Sequence, residues 1–153
     1  RAQMDTLKLA CGVQDYDVGV VFVGNKQISR LHWRLLKKNR PTDVLSVPFH
    51  DNLKPGTLPP VLSDTRELGD IFFGAPYLYQ KGRGMSQAFL PMVGRYMVHG
   101  FCHLLGYDHE TDEDYEQMVA QEQRLTQVLV DEGLPCMTLA EEEAILAREE
   151  PEK

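Results

Sequence analysis

Hydrophobic positions along the chain switch between helical and strand periods, and the switches predict its elements. Met4, Leu7 and Ala10 recur at three-residue spacing, which predicts a helix over 2–10. Val18 to Val23 is a β-branched and aromatic run bounded by Gly19 and Gly24, and it predicts a buried strand. Asn25 is then expected as the N-cap of an amphipathic helix. Ile28, Leu31 and Leu35 form its apolar face, and Arg30, Arg34, Lys37 and Lys38 give it a basic exposed side. Two more short strands are expected at 43–48 and 69–73. Pro76 suits the first turn of a short helix ending near Gly82, and a longer helix is expected from Ser86 or Pro91 to Leu105. Thr111 with Asp114 resembles a capping box, opening a helix along Tyr115, Met118, Leu125 and Leu129 that Gly133 stops. Thr138 with Glu141 opens a last short helix. Helices and strands interleaved around a small sheet argue for an α/β or α+β class. The stretch from Phe49 to Asp64, rich in Pro and Gly, reads as a surface loop long enough to be functional or mobile.

Composition narrows the class. The 153 residues suffice for one domain with a proper core, and 42% apolar with 25% charged residues excludes a disordered or collagen-like chain. The longest apolar run, Val20 to Val23 with Gly19 before it, is far short of the roughly 20 residues a membrane span needs. Three cysteines, Cys11, Cys102 and Cys136, are an odd number without a CxxC pair, which argues against a disulfide framework or a cysteine zinc site and for a reducing compartment. The net charge of −7 is unevenly placed: residues 1–107 hold 13 Lys/Arg against 8 Asp/Glu, whereas residues 108–153 hold 3 against 15. A basic face on the first part is therefore compatible with an acidic end that stays in water or meets a basic protein. The first residue is Arg1 rather than Met, so an N-terminal extension with any targeting peptide is left open.

The segment HGFCHLLGYDH, His99 to His109, carries the candidate chemistry. His99 and His103 are four apart, which on a helix stacks both imidazoles on one face. Gly106 can end the helix in a left-handed turn that returns His109 toward the same point. Three imidazoles suit zinc and leave one tetrahedral position for water, the arrangement of a catalytic rather than a structural site. The spacing H-x3-H-x5-H, with its glycine, matches the metzincin zinc site, but Gly100 stands where those peptidases hold their glutamate base. A phosphodiester is the more plausible target, because its developing charge can be met by the ion and nearby cations. Cys102 is expected to be a small buried hydrophobe, and His32 and His50 to be ordinary surface histidines.

HGFCHLLGYDH, together with PTDVLSVPF at 41–49 and LGDIFFG at 68–74, resembles the YbeY family of endoribonucleases, also described as ribosomal RNA maturation factors. The resemblance implies an α+β fold, a small mixed sheet flanked by helices, with one Zn2+ held by His99, His103 and His109 on the central helix and its following turn. It implies a single domain over 1–153 with a short acidic helical tail from about 137. The activity implied is zinc-dependent cleavage of single-stranded RNA, acting through metal-bound water, in ribosomal RNA processing and ribosome quality control. Single-stranded RNA and a ribosomal protein are the expected partners, without a membrane. FHDNLKPG followed by LGDIFFG looks more like animal members, which points to mitochondria; the GYDH ending is equally common in bacteria, which keeps a bacterial cytoplasm open. The sequence departs from the family at Leu36, where members usually carry an arginine, and at His32, where they carry an asparagine. Arg34, Lys37, Lys38 or Arg40 could replace the lost cation, with Arg34 the candidate for catalysis. Asp108 is expected to form the turn or, less favourably, to orient a histidine or the water. Affinity for RNA should be modest, salt-dependent and without sequence readout. The alternatives are a ribosome assembly factor with a mainly structural metal, and a zinc hydrolase acting on another ester.

Overall fold

The computed structural model describes residues 1–61 and 65–148. Strands β1 (Asp17–Val23), β2 (Val44–Pro48) and β3 (Glu67–Gly74) form one sheet in the order β1-β3-β2. β1 runs parallel to β3 and β2 antiparallel to it, so the sheet is small and mixed. Among the described residues six helices surround it: α1 (Ala2–Ala10), α2 (Asn25–Leu36), α3 (Ala75–Lys81), α4 (Ser86–Leu104), α5 (Asp112–Asp131) and α6 (Leu139–Arg148). None is long and apolar enough to cross a membrane. The fold is α+β. The last part of the expected loop, residues 62–64, and the end of the tail, 149–153, lie outside the described residues.

Helix α4 is the centre of the molecule. It starts at Ser86, the earlier of the two expected positions, and Pro91 lies inside it. The helix is apolar almost all round, with Met92, Val98, Phe101, Cys102 and Leu104 among its fully or nearly fully buried side chains, as a helix enclosed on all sides must be. Gly100 meets Ser46 of β2 and Ile71 of β3 so closely that any side chain there would press on both. A glutamate at this position would point into the sheet, so the peptidase base is excluded by packing as well as by sequence. α5 closes the other side of α4 with Met118, Leu125 and Leu129.

α2 covers the opposite face of the sheet. Ile28 lies against Gly74, and Ile28 and Leu45 are buried outside the main core cluster. Here the structure departs from the sequence expectation in three ways. The N-cap is Gly24, without a side-chain hydrogen bond, rather than Asn25. The buried face is Ile28 and His32, while Leu35 is exposed. His32 is 5% exposed, with Nδ1 2.9 Å from the Arg40 carbonyl, so it is a core histidine that holds the loop after α2. β1 also differs from a buried strand: it is an edge of the sheet and leaves Val21 and Phe22 exposed.

The capping box at Thr138 forms in full, while Thr111 caps its helix with one of the two bonds. Asp114 N–H donates to Thr111 Oγ1 at 3.1 Å; Glu141 N–H donates to Thr138 Oγ1 at 3.1 Å, and Thr138 N–H to Glu141 Oε1 at 3.3 Å. α6 does not stand free. Ile145 packs on the core, and Glu142 reaches the buried Arg95 of α4.

Candidate metal centre

His99 and His103 project from the last two turns of α4, where the exposed carbonyls at the helix end favour a cation. Their ring centroids are 4.7 Å apart and their Nε2 atoms 3.2 Å apart. The chain then turns at Gly106, whose φ of +95° and contact with the Leu53 carbonyl both exclude a side chain. The turn brings His109 back beside His103, ring centroids 5.5 Å apart. The loop after β2 packs against this turn, where Leu53, Lys54, Gly106 and Asp108 help to line a cavity of about 300 Å³ beside the turn rather than at the histidine rings. His109 is exposed and the His99 side chain 31% exposed, so the cluster opens to solvent.

The other nitrogens of the pair are already engaged. His99 Nδ1 lies 2.5 Å from Glu122 Oε1, and His103 Nδ1 lies 3.0 Å from the Tyr107 carbonyl. A carbonyl can only accept, so the His103 proton resides on Nδ1. Burial of Glu122 alone would raise its pKa, but the hydrogen bond from His99 and the charge of Arg95 outweigh burial and hold the carboxyl below its ordinary value. Glu122 is thus a carboxylate and also accepts, which places the His99 proton on Nδ1. His103 itself is held neutral: burial, then the neighbouring His99 and His109, lower its pKa to about 4.

With its proton on Nδ1, His103 therefore turns its Nε2 lone pair toward His99 Nε2 across 3.2 Å. A cation shared by the two rings would lie between these nitrogens. Tetrahedral zinc with Zn–N distances of about 2.0–2.1 Å requires nitrogens roughly 3.3 Å apart, close to the separation found. Two histidines are thus preorganised, and the third donor is adjacent rather than converged. Among the described residues no three His, Cys, Asp or Glu side chains already stand in a metal-holding arrangement.

Glu122 is anchored by a second buried group. Arg95, 5% exposed, donates from one guanidinium nitrogen to Glu122 Oε2 at 3.1 Å, while its Nε lies 3.2 Å from Glu142 Oε1 on α6. The chain Glu142–Arg95–Glu122–His99 so runs from the C-terminal helix to a candidate ligand. Sequence reasoning missed both inner members, although each carried a signal. Arg95 is the lone Lys, Arg, Asp or Glu in α4, four residues before His99. Glu122 interrupts the apolar stripe Met118, Leu125, Leu129.

The remaining candidates are placed elsewhere. Asp108 Oδ1 accepts from the Glu110 N–H at 3.2 Å, a turn-forming contact. Cys102 is fully buried in the core, where burial pushes its thiol well above the usual range. Arg34 is exposed on α2, across the sheet from α4. Leu36 is 56% exposed, so the position that lacks the family arginine still faces solvent.

A model of the endoribonuclease YbeY family matches residues 2–130, from α1 to within α5, leaving α6 outside the match. The human endoribonuclease YbeY is 37% identical over 123 residues, 80% of this chain and 73% of the relative. The protein of the same name from an Aster yellows witches'-broom phytoplasma is 35% identical over 108 residues, 71% of this chain and 70% of the relative. That of Bacillus subtilis is 34% identical over 121 residues, 74% and 73%. The solution structure of a Thermotoga maritima protein, 22% identical, shares the fold with a TM-score of 0.56 over 85% of this chain and 81% of that one. Matched over most of its length by the family model and by relatives above 30% identity, the chain belongs to the endoribonuclease YbeY family.

Proposed function

We propose that this protein is a zinc-dependent endoribonuclease that cuts single-stranded RNA, with ribosomal RNA as the substrate in maturation and ribosome quality control. One observation carries the metal: two imidazoles on one helix face, each fixed by a hydrogen bond at Nδ1, turn their Nε2 atoms toward each other at zinc-ligand separation. His99, His103 and His109 would hold the ion. When bound, zinc supplies a Lewis acid and a means of activating water at neutral pH.

The side chains around the histidines have definable tasks. Glu122 and the Tyr107 carbonyl fix the tautomer and orientation of the two helical rings, as partners of ligating histidines commonly do. Arg95 keeps Glu122 ionised and in place. Gly100 withholds a helical glutamate, which suits a reaction that need not protonate an amine leaving group. Asp108 shapes the turn that presents His109. Arg34, remote from the histidines, attracts RNA rather than touching the reacting phosphate. The acidic tail is bound to the body through Glu142, so a basic ribosomal protein would meet its outer acids, Glu141 and Glu143. The human relative at 37% identity supports the animal-like reading, and with it we infer a mitochondrial site of action. Imaging a tagged full-length protein tests that site.

The decisive experiment compares wild type with His103→Ala, purified in parallel under strict nuclease controls. Wild type should cleave single-stranded RNA, spare duplex RNA and small esters, and lose activity to a chelator; the variant should be inactive. Equal cleavage by both preparations would assign the activity to contamination and end the proposal.

A further inference from the structure

Between Gly24 and Thr42 the chain carries six cations, Lys26, Arg30, Arg34, Lys37, Lys38 and Arg40, and no acidic residue. Four positions in this stretch, Lys26, Arg30, Trp33 and Lys37, follow at intervals of four, three and four. That spacing aligns them on one stripe of α2 and its C-cap, roughly 16 Å long. All four are exposed. Among the described residues, no carboxylate lies within ion-pair distance of any of the six cations. Trp33 is the only tryptophan of the protein and is 51% exposed, with the Lys37 ammonium 5.6 Å from its ring centre. The helix does not need this side chain for packing, because Ile28 and His32 supply its buried face.

We propose that this stripe is a docking face for single-stranded RNA, on which Trp33 stacks against a base while Lys26, Arg30 and Lys37 hold phosphates on either side. The inference rests on the reading of the protein as an RNA enzyme and deepens the part given there to Arg34, adding a base-stacking contact and a defined row of phosphate contacts on the same helix. Unpaired cations select a polyanion. An aromatic ring set within their row selects one with free base faces, and any base can stack, so no sequence preference follows. A duplex hides its base faces. Because α2 covers the sheet face opposite α4, RNA bound here is held away from the histidines; the stripe anchors a longer strand rather than positioning the scissile bond.

As the sole tryptophan, Trp33 reports on its own occupancy. Wild-type protein is titrated with oligouridylate, followed by tryptophan emission and, in parallel, by anisotropy of the same end-labelled oligonucleotide, whose integrity is checked on a gel. Quenching should track anisotropy, and both should fade as salt rises. Inorganic polyphosphate should compete without quenching. Trp33→Ala should weaken binding roughly 5- to 150-fold, the range expected for loss of one base–aromatic stack, and Trp33→Phe should restore most of it. RNA binding that leaves Trp33 emission unchanged, or an alanine variant that binds as well as wild type, overturns this inference alone. A protein that binds no RNA overturns the enzymatic reading with it. A response to phosphatidylglycerol vesicles but not to RNA assigns the face to a membrane and overturns the proposal too.

Discussion

Arg95 and Arg34 are both arginines on helices packed against the same sheet, yet they live in opposite electrostatic worlds. Arg95 is buried between Glu122 and Glu142, and its charge is committed to carboxylates of this chain. Arg34 is exposed in a stretch that offers it no acid. The contrast separates two uses of charge. At the histidine cluster, charge is compensated internally and serves orientation, because a buried ion without a partner is too costly to keep. On α2 it is uncompensated and serves association, because water solvates it at little cost until a polyanion arrives.

The strongest way to break this contrast is to remove the acid at its centre. Glu122→Ala leaves Arg95 with only the Glu142 contact and frees His99 Nδ1. Stability to chemical denaturation should fall by about 3–5 kcal/mol, the cost of deleting one member of a buried ion pair. Zinc affinity, measured by competition with a chelator, should fall about 10- to 100-fold. Glu122→Gln keeps the shape and should recover part of both. If zinc affinity is unchanged in the alanine variant, Glu122 is a structural partner of Arg95 and does not orient a ligand.

Glu142→Ala tests how far the network extends. Its side chain is 13% exposed, and Arg95 retains Glu122 when it is gone. The contact is an ion pair without a hydrogen bond at Arg95 Nε, and the expected loss is about 1 kcal/mol, the upper end for a partly exposed pair. Zinc affinity should change by less than in Glu122→Ala. An equal drop in affinity would show that α6, which lies beyond the family match, governs His99 as strongly as its direct partner does.

What the sequence reveals and hides follows the same division. The histidine spacing was legible because helical periodicity and one glycine determine it locally, and the caps by Thr111 and Thr138 were legible for the same reason. Glu122 and Arg95 were not, since Glu122 reaches His99 across 23 residues and Arg95 across 27, and only tertiary packing joins them. The apolar face of α2 was misread because His32 looks polar in sequence but finds the Arg40 carbonyl, which lets it be buried in place of Leu35. β1 was expected to be buried because its residue types suit a strand with two covered faces; its place at the sheet edge depends on strand order, which no local pattern encodes.

The smallest change in stability should come from the other side of the comparison. Arg34→Ala removes an exposed cation with no partner among the described residues, and unfolding free energy should stay within about 0.5 kcal/mol of wild type. RNA binding should nonetheless weaken, and the slope of log affinity against log salt should become shallower by about 0.7, the contribution of one phosphate contact to a single strand. Cleavage should fall at low RNA concentration and recover at saturation, because the side chain lies across the sheet from the histidines and affects capture rather than chemistry. A loss that persists at saturating RNA would instead bring Arg34 to the reacting phosphate. The two arginines would then differ only in burial and not in task.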